Sequence, residues 1–228
     1  ASVSANGNWI AYETLAKNQT AGTPSPCTGP TTEVNLRNML TGQIRRVSPP
    51  PGTPAVSCGL RGSQKPSIDW SGQAIAFQTD QVLKPGTTPG RDHVFAEFAG
   101  QGLQRLSELP GGAEADGSSE QPFISGDGST VAYVSAATNL DPSFVDGNGK
   151  RDTHVIRRGR STERLSKSTV GAEANEDSNR PALNYNATRL VFDSAASSLA
   201  GSDANGVADV FQRVIPANTD VIFAAGFD

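Results

Sequence analysis

Apolar residues along this chain come in short runs that alternate with polar ones, and Gly, Pro, Asn and Asp fill the stretches between. No window of a dozen residues sustains an apolar face at i, i+3, i+4 and i+7, so the pattern predicts strands and turns rather than helices. One unit recurs four times: a short apolar strand, a tight turn, and a second strand ending in a small residue and an aromatic. Its second strands close on Ala11-Tyr12, Ala76-Phe77, Ala132-Tyr133 and Val191-Phe192. The copies start at 1, 66, 122 and 181, spacings of 65, 56 and 59 residues, and such a period marks a repeat architecture.

The third copy is the most regular. Pro122-Phe-Ile-Ser125 reads as a first strand, Gly126-Asp-Gly-Ser129 as a turn, and Thr130-Val-Ala-Tyr-Val-Ser135 as a second strand. After a polar excursion come Thr153-His-Val-Ile-Arg157 and Thr162-Glu-Arg-Leu-Ser166. The second copy gives Ser67–Asp69, Ala74–Gln78, His93–Glu97 and Leu103–Ser107; the first adds Glu33–Leu36 and Ile44–Ser48; the last ends with Asp209–Val214 and Thr219–Phe223. A four-stranded sheet of this size cannot stand alone and must lean on like neighbours. The expected fold is all-β: one β-propeller domain of four four-stranded blades, in repeats 1–65, 66–121, 122–180 and 181–228. The blade count leaves three arrangements open: a closed four-bladed ring, an eight-bladed ring from two chains, or part of a larger protein.

The Pro-x-Ile-Ser-x-Asp-Gly-x-x-Val-Ala-Tyr/Phe core, the Asp-x-Asn-Gly-x-x-Asp stretch and the Arg-Leu-Ser strand resemble the TolB-like propeller repeat of bacterial exported proteins. The resemblance is strongest from Pro66 to Phe211. Repeat one departs from it by its Cys- and Pro-containing excursions, and repeat four has Asn186-Ala187 at the turn glycine. It implies a propeller in a secreted or periplasmic location, and no particular activity.

Composition narrows the partners. The net charge is −4 with scattered basic residues, so the footprint of a nucleic-acid binder is absent and nucleic acid is not an expected partner. Apolar runs fall far short of the roughly 20 residues a membrane span needs. Two cysteines, Cys27 and Cys58, lie in the two long excursions of repeat one, as a disulfide or as free thiols. A disulfide implies an oxidising compartment.

In a four-stranded meander the first–second and third–fourth turns share one face, and the second–third and fourth–next loops the other. The former are short here and the latter long, so extended loops crowd one face, where binding usually resides. Two of those loops, Asp146-Gly-Asn-Gly-Lys-Arg-Asp152 and Asp203-Ala-Asn-Gly-Val-Ala-Asp209, place oxygen ligands at positions one, three and seven. Asp146, Asn148, Asp152, Asp203, Asn205 and Asp209 are thus candidate ligands for Ca²⁺, which takes six to eight hard oxygens. The alternative is an Asn-Gly turn whose Asp residues bond the backbone.

Glu114 and Glu173 recur in equivalent loops, either as paired carboxylates near the channel mouth or as solvated charges. His93 and His154 are read as equivalent on strand three, and Arg46, Arg105 and Arg164 as outer-wall residues of strand four. The chain has no Gly-x-Ser-x-Gly, Ser-x-x-Lys or His-Glu-x-x-His motif and no phosphate loop. The expectation is an exported propeller binding a protein or cell-envelope partner through the long-loop face, with calcium as a stabiliser. The alternative is a hydrolase or lyase acting on a saccharide or lactone through loop-face carboxylates, and a homodimer completing a larger ring is a further expectation.

Overall fold

The computed structural model describes residues 1–20, 25–27, 29–50, 58–200 and 206–216. Each repeat forms one antiparallel meander in which every strand pairs with the next. Blade 1 holds β1 (Ser2–Val3), β2 (Trp9–Thr14), β3 (Glu33–Asn38) and β4 (Ile44–Ser48). Blade 2 holds β5 (Ser63–Ile68), β6 (Ala74–Thr79), β7 (His93–Phe98) and β8 (Gly102–Arg105). Blade 3 holds β9 (Ser119–Ile124), β10 (Thr130–Ser135), β11 (Asp152–Arg157) and β12 (Thr162–Arg164). Blade 4 shows β13 (Ser178–Leu183), β14 (Arg189–Ser194) and β15 (Asp209–Val214); the strand expected at Thr219–Phe223 lies outside the described residues. The fold is a β-propeller.

The blades are cemented by their second strands. Consecutive residues of a strand point to opposite faces, so the small residue of each pair meets one neighbouring blade and the aromatic the other. Ala11 shares a core cluster with Phe77, Ala76 with Tyr133, and Ala132 with Phe192. All three aromatics are buried, and each contributes roughly 1.5–3 kcal/mol by leaving water. Strand packing joins β2 to β5, β6 to β9 and β10 to β13, but no comparable packing joins blade 4 to blade 1 among the described residues. Among the described residues, then, the four blades form an open series.

The innermost strands begin earlier than the prolines suggest. β5, β9 and β13 each start three residues before Pro66, Pro122 or Pro181, and each carries a register irregularity at that point. The bulge residues Lys65, Gln121 and Arg180 take φ of 48°, 54° and 50°. Their N–H groups, turned out of the ladder, donate to Glu13 Oε2, Gln78 Oε1 and Gln121 Oε1. A proline lacks the ladder donor, and the bulge admits it without breaking the strand. In blade 4 Ala187 stands at the turn glycine and still takes the left-handed conformation (φ 52°), at a cost of roughly 1–2 kcal/mol.

Candidate functional site: the long-loop face

Strand pairing sets which residues are equivalent at this face. Thr14 pairs with Glu33, Thr79 with His93, Ser135 with Asp152 and Ser194 with Asp209, so Glu33, His93, Asp152 and Asp209 occupy one position at the start of strand three. His154 pairs with Tyr133, the position held by Phe95 in blade 2. His93 and His154 are therefore two residues out of register, a correction to their reading as equivalents. A two-residue step keeps both rings on the same side of their sheets but places His154 two residues deeper into its strand.

Asn35, Phe95 and His154 pair with Arg46, Arg105 and Arg164, which confirms the arginines as equivalent but not as outer-wall residues. Each is 2–3% exposed. Arg164 Nη1 donates to Asp152 Oδ2 at 2.7 Å and to Glu173 Oε1 at 3.1 Å, lies 3.7 Å from Asp146 Oδ1, and its guanidinium stacks on the Phe144 ring at 3.6 Å. It thereby ties the second–third loop to the fourth–next loop. Arg105 does the same through Thr87 Oγ1, Glu108 Oε2 and Gly112 O. Arg46 bonds Pro49 O and Thr20 Oγ1.

The fourth–next loop is also latched directly to its partner. Glu173 Oε1 accepts the Gly147 N–H, and Glu114 accepts both the N–H and the hydroxyl of Thr88. Blade 1 makes the same link covalently, through the Cys27–Cys58 disulfide. Glu114 lies 2.7 Å from His93 Nε2, so the two glutamates serve separate blades and are not a carboxylate pair. Burial opposes ionisation of both, but the backbone donors and adjacent cations outweigh it and hold both carboxyls below their usual range. Burial pushes Asp152 up despite Ser166 and Arg164, and Asp146 up with the help of nearby Glu173. Burial drives His154 down to about 4.

The oxygens offered to calcium in blade 3 are committed to protein donors. Asp152 accepts from Ser166 and Arg164, Asp146 from the Asn148 N–H, and Asn148 Oδ1 from the Lys150 N–H, while the Asn148 amide donates to Ala174 O. A guanidinium amid these carboxylates supplies the positive charge an ion would bring, so the set does not fit Ca²⁺. Asp209 begins β15, while Asp203 and Asn205 lie outside the described residues. Among the described residues no group of three His, Cys, Asp or Glu is placed to hold a metal.

Above this locked layer stand apolar tips that sequence reading passed over. Val145 and Val170, in the two long loops of blade 3, are each 89% exposed, and Leu15 opens the long loop of blade 1. A lone valine in a polar loop gives no periodic signal, so only the loop geometry singles these out. A cleft of about 510 Å³ between blades 2 and 3 is lined by Leu103, Leu109 and Ile156 together with Lys84 and Arg158. On the opposite face Trp70 stacks edge-on with Tyr185, ring centroids 5.9 Å apart.

No protein-family profile matches the chain, and no curated protein does. Among solved structures it is similar to the tricorn protease, at 11% identity over 86% of this chain and 19% of that one, with a TM-score of 0.52. It is also similar to TolB from Acinetobacter baumannii (14%, 87% and 40%, TM-score 0.46) and to the β-propeller domain of the Trilobed protease from Pyrococcus furiosus (11%, 84% and 46%, TM-score 0.45). The chain thus spans less than half of each, and the likeness is one of fold.

Proposed function

We propose that the chain is a binding module of an exported bacterial propeller, engaging a protein or cell-envelope partner through its long-loop face. The carrying observation is the pair of apolar tips, Val145 and Val170, held out of the core on loops that Arg164 and Glu173 lock together. Exposed apolar residues on a preorganised surface cost little entropy to bury against a partner. The disulfide supports an oxidising compartment. Glu114 and Glu173 are consumed in holding the loops, which favours binding over a carboxylate-driven reaction. Immobilised wild-type chain incubated with envelope extract should retain a partner that Val145→Asp together with Val170→Asp loses, at an unchanged melting temperature. Equal retention by that double variant, with the melting temperature preserved, would place binding elsewhere.

A further inference from the structure

The junctions between blades follow one rule, a small residue of one blade against the aromatic of the next, and the two ends of the array each present half of such a junction. On blade 1 Tyr12 is the aromatic against which no small residue of another blade packs among the described residues. It lines a cavity of about 460 Å³ with Ile10, Met39 and Ile44, and Val3 on the same blade is 58% exposed. On blade 4 the face that would receive an aromatic shows Val191, Val210 and Val214 at 37%, 78% and 60% exposure. The residues equivalent to these in blade 2, Ala76, Val94 and Phe98, are buried at 0%, 0% and 4%.

We propose that a second copy of the chain covers both faces, blade 4 of each copy packing on blade 1 of the other around a two-fold axis, to give an eight-bladed ring. The established junctions are head-to-tail, so a blade 4 face matches a blade 1 face and not another blade 4 face. A chain with one unmatched face of each kind is complementary to its own copy, and two such junctions satisfy four faces and leave no edge. The surface is continuous with the three junctions already formed inside the chain, and it lies apart from the long-loop face, so either reading can fail alone.

Sedimentation equilibrium of the purified chain at micromolar concentration tests this. The wild type should have twice the 23.7 kDa mass of one chain. Tyr12→Lys and Val210→Lys, one at each face, should each give the single-chain mass with unchanged circular dichroism. A wild-type monomer, an assembly whose mass keeps growing with concentration, or a dimer that survives both substitutions would overturn the proposal.

Discussion

A guanidinium taken out of water costs several kcal/mol unless ion pairs and hydrogen bonds replace its hydration. Arg164 is repaid by Asp152 and Glu173, and removing it leaves Asp152, itself buried, without its cation. Arg164→Leu is expected to lower the unfolding free energy by about 3–5 kcal/mol in urea titrations. Arg164→Lys should recover only part of it, since an ammonium lacks the planar group that stacks on the Phe144 ring. His154 gives a pH prediction. Its folded pKa of about 4 lies below the unfolded value near 6.5, so its contribution is complete above pH 6.5 and is lost as pH falls toward 4. The loss amounts to roughly 3 kcal/mol, and His154→Phe, which installs the residue blade 2 has there, should abolish that share of the pH dependence. The repeating arginines were legible in the sequence; their burial was not, because arginine is seldom buried and only the loops folded over it make it so.

The strands were largely legible because each second strand carries its small–aromatic pair and each short turn except the Asn186-Ala187 turn of blade 4 its glycine. β4 and β15 appear with the bounds expected from sequence. The inner strands were misread because a proline looks like a strand start, whereas here each proline follows a left-handed bulge residue whose N–H the previous strands' side chains satisfy or, for Arg180, Gln121 does. The slip between His93 and His154 arose from matching like residues where cross-strand pairing, invisible in one sequence, sets the register. The disulfide pairing is present, and it replaces in blade 1 the latch that Glu114 and Glu173 make elsewhere. Cys58→Ser should lower stability by roughly 3–4 kcal/mol in the chain-entropy picture, read by denaturant titration against the wild type under oxidising conditions. A shift below 1 kcal/mol would show that the latch adds nothing to the loop bonds around it.

At the scale of the molecule, four twisted sheets lean on one another in series, and their outward loops form a layer tied from beneath by buried arginines. The propeller could be read from the repeat period; the loop layer could not, because its order depends on contacts between excursions some 25 residues apart, such as Glu173 with Gly147. The account's central claim is that this layer is as fixed as the strands below it. Native-state amide hydrogen exchange tests it most directly, at the N–H groups of Gly147, Lys150 and Arg151, which donate to Glu173, Asn148 and Asp177. The account predicts protection approaching that of β10 and β11; exchange of these amides at the rates of an open chain, with the strands protected, would contradict it.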